Sequence, residues 1–155
     1  MLNQTGKALL VGATAALAVT TAAPANAQTG ARTEAAASVS KHQEVRCVKQ
    51  SGRTCVYSVS FFYWNKKGST KRGLNYVQTA RSPYKAGKAR WLYKQPGGST
   101  HVGKSWRPAH SVPHGNAAEV EWGKPGATTG PKFRKGTLVC VQWKNLSQKA
   151  CHKLK

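Results

Sequence analysis

The chain has 155 residues, and 25 Lys and Arg against 4 acidic residues give it a formal charge of +21 at pH 7. It contains no Asp and no G-x-S-x-G motif, which excludes a Ser-His-Asp triad. Between Glu44 and Glu119 fourteen basic residues occur and no acidic one. Such a charge balance attracts polyanions such as nucleic acid, wall polymers or anionic lipid, although it can also be a solvated face that aids solubility.

Residues 1–27 have the pattern of a secretory signal peptide. Lys7 precedes a run of small apolar residues at 8–19, and Ala25-Asn26-Ala27 fits the small-x-small cleavage rule. The run is shorter than the about 20 residues that a transmembrane helix needs, so we predict no transmembrane segment. We expect a secreted, extracellular protein, with an N-terminal membrane anchor as the alternative. Loss of one Lys with the leader leaves 24 basic and 4 acidic residues, a mature charge of +20.

The remaining chain predicts a disordered N-terminal tail at 28–43, which is rich in Ala, Ser and Thr, and a single β domain at 44–155. All four cysteines lie in this domain, and an even number in an exported chain predicts two disulfides. Of the three connectivities we favour Cys47–Cys55 and Cys140–Cys151, because each pair is close in sequence and straddles a turn. Zinc binding is the alternative, but the spacing lacks a C-x-x-C pair. We therefore predict no metal and no cofactor.

The strongest strand pattern is the apolar run at 54–64, TCVYSVSFFYW. Tyr57, Val59 and Phe61 fall on one side and Ser58 and Ser60 on the other, which is typical of a half-buried strand. We interpret this run as the central strand. Further strands are predicted at 44–49, 74–80, 89–94, 116–122, 136–143 and 148–154.

The loops between these strands set the predicted register. A five-residue loop at 49–53 would place Cys47 directly opposite Cys55, and a four-residue loop at 144–147 would place Cys140 opposite Cys151. Residues 99–115 contain two prolines and lack a clear pattern, so we expect a long loop there. About seven short antiparallel strands predict an all-β fold, a small sandwich or barrel with two disulfide-stapled hairpins.

Candidate catalytic residues occur between the prolines and the acidic strand. His110 and His114 would share one face of a helix, but the intervening proline argues against a helix and hence against a metal site. Glu119 and Glu121 share one face of a strand, and we expect both to be ion-paired. Together with Arg107 these residues could cleave a phosphodiester. Any strongly basic chain offers such a set, so the sequence does not establish an enzyme.

Candidate binding residues come from the interleaving of cations with aromatic residues at 66–107, a pattern that suits stacking on bases or sugars together with phosphate contacts. The alternation of Trp91 and Tyr93 with Arg90 and Leu92 favours a core position for these two aromatics. No motif for sequence-specific recognition of nucleic acid is present. The predicted binding residues are Trp64, Lys66, Lys67, Lys71, Arg72, Tyr84, Lys85, Lys88, Trp106 and Arg107.

The closing block, in which Gly136-Thr137-Leu138-Val139-Cys140 is followed by Trp143 and Cys151, resembles the ending of many small exported actinobacterial proteins. Those are two-disulfide β proteins of mostly uncharacterised function, so the resemblance implies an extracellular β domain and no activity. We expect a monomer that binds polyanions (cell-wall polymer, nucleic acid or an anionic surface) without sequence specificity. The alternatives are an antimicrobial or toxin-like protein that acts on envelopes, and a small secreted hydrolase such as a ribonuclease.

Overall fold

A computed structural model describes residues 38–50, 53–113 and 115–155. The predicted signal peptide, residues 28–37 of the predicted tail, and His114 lie outside the described residues. The described residues all belong to one compact unit. The described residues form strands and no helix, which confirms the predicted all-β class. In this part of the chain no helix is long and apolar enough to cross a membrane.

The described residues form ten strands in two antiparallel sheets. The first sheet has the order β1-β2-β3-β7-β6, with β8 also paired to β3, and the second has the order β10-β9-β4-β5. Because the inner faces of two separate sheets enclose the core, the fold is sandwich-like. The strands are β1 (Val39–Gln50), β2 (Arg53–Lys66), β3 (Lys71–Arg81), β4 (Lys88–Lys94), β5 (Thr100–Pro108), β6 (His110–Ser111), β7 (Ala118–Gly123), β8 (Lys132–Arg134), β9 (Leu138–Trp143) and β10 (Ala150–Lys153).

The alternation predicted for β2 is confirmed. Tyr57, Val59 and Phe61 are buried, whereas Ser58 and Ser60 are partly exposed on the other face. β2 is an interior strand, but β3 pairs with β2, β7 and β8 and is therefore the strand around which the first sheet is built. From the second sheet, β9 and β10 complete the core with Val139, Val141, Trp143 and Ala150.

Both predicted disulfides are present, and one of the two predicted registers is wrong. Cys140 pairs directly with Cys151, as the four-residue loop predicts. In the first hairpin Cys47 instead faces Ser58, because the connection is two residues long and an irregularity follows between Val48 and Gln50. A bulge of this kind places extra residues on one strand against its partner. It brings Cys55 within a Cα–Cα distance of 5.6 Å from Cys47 without a direct cross-strand pairing.

The first strand starts earlier than predicted. β1 begins at Val39, so residues 39–43 of the predicted tail are paired with the end of β2. His42 stacks on Tyr63 with ring centroids 4.7 Å apart. The Tyr63 ring thus gives the polar segment 39–43 a packing partner, which the composition of the segment does not reveal. Strand pairing has here overridden a composition that is typical of disorder.

The predicted loop at 99–115 contains β5 and β6, which corrects the expected strand count of about seven. β5 is an edge strand, and because most of its residues are exposed on both faces it shows no apolar alternation. Pro108 ends this strand, where an edge position tolerates a residue that cannot donate a hydrogen bond. The third unpredicted strand, β8, has only three residues and pairs with the start of β3.

Candidate functional site

Two of the predicted binding residues are buried in the structure. Trp64 is 6% exposed and packs over the backbone of Gly73, where an added Cβ would overlap the indole ring. Arg72 is 7% exposed, and its guanidinium donates to the backbone carbonyls of Ser69, at 2.7 Å, and of Lys155. Their burial makes both side chains part of the scaffold beneath the surface, so the exposed cations at this end of the sandwich are other residues.

Lys66, Lys67 and Lys71 are exposed around the turn between β2 and β3, as predicted. The pairing of β8 with β3 adds three exposed cations that the sequence analysis missed, since they are about sixty residues away in the chain. The backbone amide of Lys135 donates to the carbonyl of Thr70 at 2.8 Å, which fixes the two segments side by side. We call this group the turn cluster; it comprises Lys66, Lys67, Lys71, Lys132, Arg134 and Lys135.

The turn cluster contains a like-charge pair. Lys71 lies directly opposite Arg134 in the β3–β8 register, and like charges at opposed positions destabilise a sheet. The ion pairs within 4.0 Å that the described residues form involve Glu44 of β1, which lies 3.3 Å from Arg46. The repulsion within the turn cluster is therefore not offset by a paired carboxylate of the described chain.

The other two described carboxylates are hydrogen-bonded rather than ion-paired, which corrects the expectation for Glu119 and Glu121. Glu119 accepts a hydrogen bond from the side-chain amide of Gln78, and Glu121 accepts one from the hydroxyl of Tyr76. Burial, together with this hydrogen bond, raises the pKa of Tyr76 and keeps the phenol neutral as a donor. Both carboxylates thus have internal partners on the outer face of the first sheet.

The structure brings four of the five catalytic candidates to one edge of the first sheet. His110 of β6 lies directly opposite Glu119 of β7, and Arg107 Nη1 donates to the backbone carbonyl of Glu121 at 2.6 Å. The fifth candidate, His114, lies outside the described residues. Because the carboxylates of Glu119 and Glu121 are already hydrogen-bonded within the sheet, the juxtaposition does not by itself define a reactive group. Phosphodiester cleavage stays a prediction.

An aromatic cleft of about 510 Å³ opens between β3 and the β4–β5 pair. Trp91 and Phe133 meet edge-on in its wall with centroids 6.2 Å apart, and Tyr93 lies 4.8 Å from Phe133. Lys104 and Lys124 supply the cations of the lining. The predicted core position of Trp91 is confirmed by its burial, but alternation does not show that its ring also lines an open cleft.

β8 joins the aromatic cleft to the turn cluster. Phe133 is buried and lines the cleft, whereas its neighbours Lys132 and Arg134 are exposed. This is the alternation expected of a strand, compressed into three residues. The turn cluster therefore lies beside an apolar cleft that has its own cations.

The remaining predicted binding residues lie elsewhere. Tyr84 is 44% exposed in the predicted loop. Trp106 is in β5 rather than a loop, and the guanidinium of Arg90 lies 4.4 Å from its ring centroid. Lys85 and Lys88 are exposed near the far end of β3, away from the turn cluster. The ten predicted residues thus do not form one continuous site.

A buried histidine, His152, escaped the sequence analysis because nothing in its neighbourhood in the chain marks it. Its Nδ1 lies 3.1 Å from Arg46 Nη2 and 4.0 Å from Glu44 Oε2, and its ring is 5.5 Å from that of Tyr63. Burial lowers the pKa of His152, and the charge of Arg46 acts in the same direction while that of Glu44 opposes it. The folded protein therefore holds this imidazole neutral.

The lowered pKa of His152 predicts a loss of stability in mild acid. Because the unfolded chain takes up the proton near pH 6.5, before the folded chain does, stability is full above that pH and falls as the pH drops below it. The limiting slope is about 1.4 kcal/mol per pH unit. Urea unfolding at about pH 7.5, 6.5 and 5.5 measures how the free energy of unfolding changes with pH. His152→Gln should flatten this dependence, whereas His101→Gln, at an exposed position, should keep it; an unchanged slope in His152→Gln would contradict the assignment.

Comparison with known proteins shows no relative of this chain: no family model, no curated protein and no solved structure matches it. The fold and the site therefore define only a class, a sandwich-like antiparallel β domain with two disulfides and a basic surface. Within the described residues, no group of three or more His, Cys, Asp or Glu side chains could hold a metal ion. The resemblance to small exported actinobacterial proteins stays a prediction.

Proposed function

We propose that this protein is a secreted basic protein that binds polyanionic polymers through the turn cluster, without recognising sequence. The observation that carries the proposal is the cross-strand pairing of Lys71 with Arg134 among four further exposed cations. Such a group repels itself in the free protein, and the phosphates or carboxylates of a polymer would neutralise it. Contacts of Lys and Arg with a polymer backbone position the polymer but carry no information about its sequence.

The neighbouring aromatic cleft extends the proposal to polymers that contain rings. A polymer chain whose anionic groups contact the turn cluster can place a base or sugar ring at the cleft. There Tyr93 is partly exposed, and Lys104 and Lys124 offer further positive charge. Nucleic acid and anionic wall glycans both meet this description. An anionic surface would contact the turn cluster alone.

The proposed place of action is outside the cell. Two disulfides, Cys47–Cys55 and Cys140–Cys151, are typical of proteins from an oxidising compartment, which supports the secretion predicted from residues 1–27. We propose that a single chain is the binding unit, because the turn cluster and the cleft are both built from one sandwich.

The test is the salt dependence of binding to a fluorescent 20-nucleotide single strand and to a glycerol-phosphate wall polymer. Six neutralised phosphates at about 0.7 each predict a slope of about −4 for log K against log salt with the single strand. Fluorescence anisotropy between about 50 and about 200 mM salt gives the slope. Binding to both polymers that is unchanged across this range would overturn the proposal.

A matched pair of double variants locates the site. Lys71→Gln with Arg134→Gln should weaken single-strand binding and reduce the slope by about 1.4, since two contacts are lost. Lys94→Gln with Lys153→Gln removes the same charge from exposed positions of the second sheet and should have a smaller effect. Equal losses in both would contradict the turn cluster as the site. Denaturing gels of RNA after incubation separate binding from cleavage, because shortened strands would favour the hydrolase alternative.

A further inference from the structure

A second basic feature lies at the opposite end of β3 from the turn cluster. β3 begins at Lys71, which belongs to the turn cluster, and ends at Arg81, so about 3.4 Å per residue puts its ends about 34 Å apart. At Arg81 a pocket of about 210 Å³ forms where the end of β3, the segment that enters β4 and the turn after β9 converge. A space of this size exceeds what one water molecule needs and leaves room for a small anion.

The lining of this pocket is strongly basic. Its side chains and backbone come from four cationic residues together with Ala86, Gly87, Asn145 and Leu146, and no carboxylate is among the described residues that line it. Four cations around so small a volume repel one another. The four are Arg81, Lys85, Lys88 and Lys144.

The backbone fixes two of these cations next to each other. The β4–β9 ladder pairs Ala89 with Trp143, and at the next position the amide of Lys144 donates to the carbonyl of Lys88 at 2.7 Å. Their side chains therefore start from adjacent points, at the first residue of β4 and at the residue that follows β9. This is a second like-charge neighbour pair that the fold retains, at a place where both residues are exposed.

The third cation, Arg81, packs against the ring of Trp143. The guanidinium carbon of Arg81 lies 5.2 Å from the ring centroid of Trp143, which is fully buried. The indole nitrogen of Trp143 donates to Thr79 Oγ1 at 3.0 Å, so the ring that supports Arg81 is itself fixed in position. A guanidinium over an indole keeps its edge donors free for an anion while its face is occupied.

We infer that this pocket is a discrete binding site for a tetrahedral oxyanion, a phosphate or sulfate group. Arg81 offers a planar fork of donors that matches two oxygens of such an anion, and the three lysines offer point charges. The inference does not depend on the polymer-binding function, because the site is a pocket at another end of the sandwich. The anion can be free or can be one group of a longer polymer.

The test is a titration of the isotopically labelled full-length mature protein with inorganic phosphate and, separately, sulfate, at constant ionic strength set with chloride. We expect saturable shifts of the backbone amides that surround the pocket. Lys85→Gln with Lys144→Gln should weaken phosphate binding by about tenfold or more, because two charge-assisted contacts are lost. Lys66→Gln with Lys67→Gln removes the same charge from the turn cluster and should leave phosphate affinity within about twofold, apart from weak long-range screening.

Two further measurements sharpen the outcome. Arg81→Lys keeps the charge but removes the fork, and we expect phosphate binding to weaken several-fold. The second measurement is a titration with a 5′-phosphorylated oligonucleotide, and the same oligonucleotide without that phosphate is the control. Comparison of its affinity with that of inorganic phosphate tells whether a polymer end or a free anion is the better occupant. Saturation of the pocket by the phosphorylated oligonucleotide or by inorganic phosphate supports the site. Shifts that stay linear and spread over all basic strands, or equal losses in the two double variants, would overturn the pocket and leave the polymer-binding proposal intact.

Discussion

Replacing Trp143 with alanine should lower the free energy of unfolding by about 3–5 kcal/mol. Trp143 has no exposed surface and belongs to the core between the two sheets. Its indole donates to Thr79 Oγ1, whose hydroxyl in turn donates to the carbonyl of Ser58 at 2.8 Å. Removing the ring leaves a large cavity and takes a donor away from a buried hydroxyl, and both effects act in the same direction.

Chemical denaturation monitored by far-UV circular dichroism measures this loss. Trp106→Ala is the matched control, because Trp106 is partly exposed on the edge strand β5 and contacts Arg90. We expect the control to cost about 1 kcal/mol or less. A similar loss in both variants would mean that Trp143 does not hold the sheets together. Trp143→Ala should also weaken phosphate binding at the pocket, since Arg81 loses its support.

Tyr57→Phe should lower the free energy of unfolding by about 2 kcal/mol, although it removes only one oxygen atom. The hydroxyl donates towards the carbonyls of Gln148, at 3.0 Å, and Val141, at 3.2 Å, and it accepts from the amide of Ala150 at 3.1 Å. Burial raises the pKa of Tyr57 to about 12, so the group stays a neutral donor. Phenylalanine would leave buried backbone groups of the β9–β10 hairpin without a partner.

Urea unfolding of Tyr57→Phe beside Tyr84→Phe tests this prediction. Tyr84 is exposed in the connection before β4, and loss of its hydroxyl should change stability by less than about 0.5 kcal/mol. The amide of Ala150 should also exchange faster with solvent in Tyr57→Phe, because its acceptor is gone. Unaltered exchange at Ala150 would show that the hairpin is held by other contacts.

The parts of the fold that follow from local pattern could be predicted from the sequence. Alternation identified β2 and its buried face, since a half-buried strand displays its two environments directly in its residue types. Cysteine spacing gave both disulfides, because short connections leave few geometric choices. The register around Cys47 could not be predicted, because a bulge carries no residue signature there.

The candidate site depended on contacts between distant segments, and the sequence could predict only half of it. Lys66, Lys67 and Lys71 stand out as a charged loop, but their neighbours Arg134 and Lys135 reach them through a three-residue strand too short to recognise. Trp64 and Arg72 lie at either end of a basic segment whose composition predicts exposure, and both are nevertheless buried. Exposure is a tertiary property, so residue type alone does not determine it.

The edge strand β5 bears on whether copies of this protein associate with one another. An unpaired strand edge is a template on which another chain can add its own strand, and charged side chains along the edge discourage such pairing. β5 carries exposed Lys104 and Arg107, and at +21 every copy repels its neighbours. Screening by salt shortens the reach of this repulsion. Colloidal stability and the proposed polyanion binding thus depend on the same charges. Concentrated stocks should keep best at low ionic strength, where we also expect the proposed binding to be strongest.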